Sequence, residues 1–233
     1  MITESLMRST AVLIFTNSSQ EEMRYKPLQR GEVLFDSLTN SVIKKVKQSK
    51  LTYFHISEKH QKGFSFGERF STAVQNIFDK GFDKVITVGN DTPHLQTAHI
   101  TTTAKALADG KTVIGPSLDG GFYLMGIHKA DFNKEKFQNL PWQKCNLLKS
   151  LLDTLQESYC PILQLPTFRD IDTAKDVLSL VNYIRSISVS IQKLFALCLS
   201  VKQQFLLLAE NCYVSVLLQN PYNKGSPVLV HIQ

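Results

Sequence analysis

Two separated aspartates are the residues here best suited to share a divalent cation. Asp91 lies in Gly89–Asn90–Asp91–Thr92–Pro93–His94–Leu95, and Asp172 lies in Arg169–Asp170–Ile171–Asp172–Thr173–Ala174. A Mg²⁺ or Mn²⁺ site needs one or two carboxylates plus substrate phosphates and water, so this pair would suffice. Each also has a plainer role. Asp91 or Thr92 can cap a helix beginning near residue 96, and Asp172 can be an N-cap or first-turn acid favoured by the helix dipole. A third segment, Gly115–Pro116–Ser117–Leu118–Asp119–Gly120–Gly121, reads as a hairpin turn between two apolar runs. Its paired glycines would equally let the backbone approach a ligand closely. Pro93 fixes the exit of the first segment toward the next helix. His94 and His99 flank that segment and are expected on the helix exterior.

These residues matter because of what precedes them. Short β-branched and aromatic runs alternate with helical patterns from residue 11 to about residue 185, which predicts βαβ units and an α/β fold. Strands are expected at Ala11–Thr16, Leu51–Ile56, Lys84–Val88, Thr112–Gly115, Phe122–Ile127 and Pro161–Leu165. Most are continuous apolar runs, as strands buried on both faces require. Four helical stripes separate them: Phe35, Leu38, Val42 and Val46; Phe70, Ala73, Val74, Ile77 and Phe78; Ile100, Ala104, Leu107 and Ala108; and Ala174, Val177, Leu178, Val181 and Ile184. Ligands of open α/β sheets bind beyond the carboxyl ends of the strands, where the three segments fall.

The 233 residues carry 26 Lys+Arg against 20 Asp+Glu, are 43% hydrophobic and include four cysteines. That composition excludes a disordered, collagen-like or disulfide-stapled chain. The charge excess of +6 is mild and its lysines are scattered, which ranks a nucleic-acid partner last. Cys145, Cys160, Cys198 and Cys212 form no tight metal or redox pair. With no secretory signal pattern and no apolar run long enough to span a membrane, a cytoplasmic protein is expected. The texture changes near Ser186, where Lys193, Lys202 and Lys224 face only Glu210. The expected division is a catalytic domain over 1–185 and an appendage over 186–233, whose stripe of Ile187, Ile191, Leu194 and Leu197 or Cys198 permits a helix packed on the domain or on a partner subunit.

GNDTPHL and GPSLDGGFYLMGI, with GERF upstream and DIDTAKDV near the end, resemble the radical-SAM/selenodomain-associated transferases. These are glycosyltransferase-like proteins, similar to the guanylyltransferases of molybdenum-cofactor and deazaflavin synthesis. The resemblance spans about residues 10–185. It implies the nucleotide-diphospho-sugar transferase (GT-A) fold, with a mixed, mostly parallel sheet flanked by helices. It also implies that Asp91 and Asp172 hold Mg²⁺ or Mn²⁺, that Asn90 and Pro93 line the donor loop, and that Asp119, Gly120 and Gly121 line the acceptor or sugar pocket. Gly67, Glu68 and Arg69 match the family's G-E-R segment, from which Arg69 would reach a phosphate. The family's Lys-Thr-Arg-Leu block after the first strand is absent. Arg24, Lys26 and Arg30 are the basic residues that could stand in for it, opposed by Glu21 and Glu22.

The expected function is a metal-dependent transferase taking a nucleotide or nucleotide-sugar donor and a small-molecule acceptor, with Asp119 as a candidate base. The alternatives are a nucleotidyltransferase releasing pyrophosphate, or a nucleotide-binding protein of the same fold without catalysis.

Overall fold

The computed structural model describes residues 9–26, 28–156, 160–180 and 187–199. Six strands form one sheet in the order β2-β1-β3-β5-β4-β6: β1 (Thr10–Phe15), β2 (Thr52–Ile56), β3 (Lys84–Val88), β4 (Thr112–Pro116), β5 (Phe122–His128) and β6 (Ile162–Gln164). Every expected strand is present within a residue of its predicted ends. The pairs β1–β2, β1–β3 and β4–β6 are parallel, whereas β5 runs antiparallel to both β3 and β4. The sheet is therefore mixed and mostly parallel.

Helices cover both faces. They are α1 (Ser19–Tyr25), α2 (Gly31–Gln48), α3 (Phe66–Asp79), α4 (Thr97–Ala108), α5 (Lys134–Gln138), α6 (Leu147–Gln156), α7 (Ala174–Leu180) and α8 (Val189–Cys198). Alternation along β1 decides which residue meets which layer. Ala11, Leu13 and Phe15 pack with Phe70, Val74, Ile77 and Phe78 of α3, while Val12 and Ile14 pack with Val42 and Val46 of α2 and Ile100 and Leu107 of α4. All six β1 residues are buried, as expected of a strand covered on both sides.

The α2 and α3 stripes are buried as predicted. On α4 the buried residues are Ile100, Thr103, Ala106 and Leu107, and Ala108 is exposed. The apolar alanines there misplaced the stripe, because Thr103 satisfies its own hydroxyl on the His99 carbonyl and can therefore face the sheet. A third cluster joins Leu34, Phe35 and Leu38 of α2 to Ile171 and Val177 and to Ile187, Ile191, Phe195 and Cys198. The helix expected after residue 186 thus lies against α2, with Leu197 exposed and Cys198 buried. Val181, Ile184, Cys212, Pro27 and residues 200–233 lie outside the described residues. No helix of the described residues is long and apolar enough to cross a membrane.

Candidate functional site

The chain leaves β1 toward β2 on one side and β3 on the other, so a crevice opens past the carboxyl ends of β1 and β3. A cavity of about 910 Å³ lies there, within the range of cofactor-sized ligand sites. Its lining includes the polar residues Lys26, Asn90, Asp91, Asp119, Asp170 and Asp172 and the aromatic residues Phe15, Phe66, Phe70, Phe122 and Trp142.

Short-range contacts bring the polar cluster together. The segment after β6 runs beside the end of β4, with Phe168 N–H donating to the Pro116 carbonyl and Leu118 N–H to the Phe168 carbonyl. Three residues beyond Phe168, Ile171 N–H donates to the Asp91 carbonyl at 3.0 Å. This bond sets Asp172 beside Asp91 although 80 positions separate them. Between them lies the ammonium of Lys26. Its Nζ is 2.6 Å from Asp91 Oδ2, 2.9 Å from Asp172 Oδ1 and 3.4 Å from Glu22 Oε2.

Lys26 is placed by the packing of α1 on α2. A Cβ on Gly31 would lie 2.5 Å from Met23 Sδ and 2.9 Å from Leu28 Cβ, so the start of α2 can approach α1 this closely only as glycine. Helix α1 is itself anchored. Ser18 caps it through Glu21 N–H, and Glu58 accepts from both Ser18 N–H and Ser18 Oγ. Burial raises the Glu58 carboxyl, but those bonds outweigh it and hold it below its ordinary range. The Lys26 amine is pushed down by burial and up by Asp91, Glu22 and Asp172; the charges win, and it stays firmly protonated. Glu22 shifts upward, chiefly by burial.

Asp170 was not singled out as a site residue from the sequence. It lies two residues before Asp172, and both line the cavity. Its Oδ1 accepts from Thr92 Oγ1. Burial, then the charges of Asp91 and Asp119, raise its carboxyl from 3.8 to about 8.

The other expected residues divide. Asp119 faces the cavity with Oδ1 accepting from Ser117 Oγ at 2.7 Å and Gly121 N–H at 2.9 Å. Gly121 and Asn90 also line it, and Asn90 Nδ2 donates to Thr39 Oγ1 of α2. Arg69 lines it too, but Nε donates to Gln61 Oε1 and Nη1 to the Phe64 carbonyl, so the guanidinium braces the loop before α3. Gly120 has φ +91° and packs on Cys145, where a Cβ would lie 2.0 Å from the carbonyl oxygen; it shapes the turn rather than the cavity wall. Pro93 is buried outside the lining, and its carbonyl accepts from Lys45 Nζ. Arg24 points away and pairs with Glu21 at 2.8 Å, because it occupies the exposed side of α1. His94 is not on the exterior as expected but buried, its ring 5.5 Å from that of Phe168.

The donor chemistry of the polar cluster suits a hard divalent ion. Asp91 Oδ2 and Asp172 Oδ1 converge on one point, and carboxylates outnumber the lysine there. Among the described residues no three His, Cys, Asp or Glu side chains are arranged to hold a metal, so such an ion would draw its remaining ligands from substrate and water.

Residues 25–144 match the family described as uncharacterized proteins conserved in bacteria, DUF2064. No curated protein matches the chain. A solved structure from Desulfovibrio desulfuricans G20, assigned provisionally as a nucleotide-diphospho-sugar transferase, is similar at 21% identity and TM-score 0.70, covering 88% of this chain and 96% of that one. At that identity the likeness extends to the fold alone, an α/β sheet of the nucleotide-diphospho-sugar transferase type. Two mycobacterial structures resemble it at TM-score 0.44: an Rv0371c homolog from Mycobacterium sp. strain JC1, 9% identical over 76% of this chain and 98% of its own, and Rv0371c of Mycobacterium tuberculosis H37Rv in complex with manganese, 9% identical over 77% and 98%.

Proposed function

This chain belongs to the DUF2064 family of bacterial proteins, and from its fold and site we propose that it is a transferase using a nucleotide-diphospho-sugar donor. One observation carries the reading: the carboxyl ends of β1 and β3 open into a single cavity whose wall holds both a lysine–carboxylate cluster and a cluster of aromatic rings. The polar cluster suits the diphosphate of a donor. The aromatic cluster, where Phe66, Phe70 and Phe122 lie 5.2, 4.8 and 6.0 Å from Trp142, suits the flat face of a base or sugar.

Asp91 and Asp172 would hold Mg²⁺ or Mn²⁺, which when bound supplies Lewis-acid neutralisation of charge on the diphosphate. The chain's own groups do the rest. Lys26 offers an always-charged donor to a phosphate oxygen. Asp119, pinned through Oδ1, presents its second oxygen as proton acceptor for an attacking hydroxyl. As the acceptor oxygen bonds to the sugar carbon, the bond to the diphosphate breaks and the nucleoside diphosphate departs with the electron pair. The enclosing rings keep water from competing with the acceptor.

The test is to incubate the full chain with Mn²⁺ and either a panel of UDP-, GDP-, ADP- and CDP-sugars or nucleoside triphosphates with a sugar phosphate, and to follow nucleoside diphosphate and pyrophosphate separately. Release of a nucleoside diphosphate that Asp91→Asn abolishes supports the reading. Pyrophosphate production from a nucleoside triphosphate and a sugar phosphate would replace it with nucleotidyl transfer.

A further inference from the structure

An ammonium and a divalent ion cannot both sit between Asp91 and Asp172. Each would occupy the point on which Asp91 Oδ2 and Asp172 Oδ1 converge, the ion at about 2.0–2.2 Å and the ammonium at hydrogen-bond length. In this chain the distances of 2.6 and 2.9 Å are ammonium distances. The lysine is held rather than passing by. Its side chain is only 14% exposed, and Glu22 lies within reach of its remaining proton. Phe35 closes the other side, with Nζ 5.7 Å from its ring centroid. An ammonium in such a place stays with its carboxylates unless an anion of comparable charge replaces them. The diphosphate of a donor is such an anion, and Lys26 lies in the cavity that would receive it.

We infer, on the footing of the transferase reading above, that Lys26 withholds the Asp91–Asp172 pair from divalent ions until a diphosphate arrives. Donor entry transfers the ammonium from the carboxylates to phosphate oxygens, and the pair then accepts the metal that accompanies the donor. Metal and donor binding are thereby coupled, and by linkage each strengthens the other. Lys26 acts here as a positioning residue for the metal, in addition to its contact with phosphate. Glu22, outside the metal pair, provides part of the hold. The acidic surplus of the cavity gives the coupling its direction: with the donor absent, one built-in cation tempers the repulsion among the carboxylates, and with the donor present two cations are needed.

The inference is tested by titrating the full chain with Mn²⁺ alone and reading free ion by electron paramagnetic resonance. The variants are Lys26→Met and Lys26→Gln, with thermal melts to establish folding. Both are expected to bind Mn²⁺ at least about tenfold more tightly than wild type, a ratio equivalent to about 1.4 kcal/mol. Adding Asp91→Asn to Lys26→Met should abolish the gain. Arg69→Gln removes another cavity cation that does not touch the pair, and it should change Mn²⁺ affinity by less than about threefold, within what distant charge alone exerts. Equal Mn²⁺ affinity in wild type and the Lys26 variants, or an equal gain in Arg69→Gln, overturns the inference. If neither Lys26 variant folds, wild type decides: without nucleotide it should bind Mn²⁺ no tighter than about 1 mM, and a tighter site overturns the inference. A parallel titration with UDP, GDP, ADP and CDP separates the two readings, since failure of all four to bind refutes the transferase while leaving the Mn²⁺ comparison intact.

Discussion

Replacing Asp170 by asparagine should remove a large pH dependence from the stability of this chain. The carboxyl titrates near 3.8 when the chain is unfolded and at about 8 in the fold, because it is enclosed and faces the charges of Asp91 and Asp119. Below pH 4 it is protonated in both states, and its contribution to stability is fully present. Between about 4 and about 8 the unfolded chain has shed a proton that the folded chain keeps, so stability falls as pH rises, by up to about 1.4 kcal/mol per unit. Above the folded value the slope ends. Asparagine retains an oxygen for the Thr92 hydroxyl and carries no charge at any pH. The stability of Asp170→Asn minus that of wild type should therefore grow by roughly 3 kcal/mol between pH 5 and pH 7. Urea unfolding of both proteins at half-unit pH steps measures it, and titrating groups remote from Asp170 cancel in the difference. Parallel stability curves would show that Asp170 is ionised in the fold and would refute the electrostatic picture of the polar cluster.

Three further perturbations probe the scaffold. Gly67→Ala drives a Cβ to 2.3 Å from the Gln138 carbonyl and 2.6 Å from the Trp142 ring; it should cost about 1–3 kcal/mol in urea unfolding and shift the fluorescence of the only tryptophan. Ser65→Ala removes the hydroxyl half of the capping box it forms with Glu68, and a loss of about 1 kcal/mol is expected by the same measurement. Phe78→Ala empties a site 1% exposed between α3 and the sheet, for which thermal and urea unfolding should report about 3–5 kcal/mol.

The central strands β1, β3, β4 and β5 were legible because burial on both faces writes them as largely apolar runs, whereas the edge strands β2 and β6, which hold no fully buried residue, were read from their β-branched and aromatic residues; Lys84–Val88 was placed to the residue. The α4 stripe was not, since a threonine that bonds its own backbone can be buried without any apolar signature. In the site, Asp91 and Asp172 could be read from their place after strands, and the structure brings them together. Glu22 was read as opposing the basic residues of its loop. At i, i+4 on α1 it is instead the partner of Lys26, whereas Arg24 falls on the opposite side. That distinction follows only once residues 19–25 are known to be helical. The close approach of α1 to α2 at Gly31, which puts Lys26 into the cavity, depends on tertiary packing that no spacing along the chain encodes.

The most direct test of the account is a crystal structure of the full chain with Mn²⁺ and whichever nucleoside diphosphate binds in the panel. The account predicts the diphosphate in the cavity beyond β1 and β3, with a phosphate oxygen on Lys26 Nζ and the ion on Asp91 and Asp172. A nucleotide bound elsewhere, or one bound in the cavity while Lys26 still holds both aspartates, would contradict it.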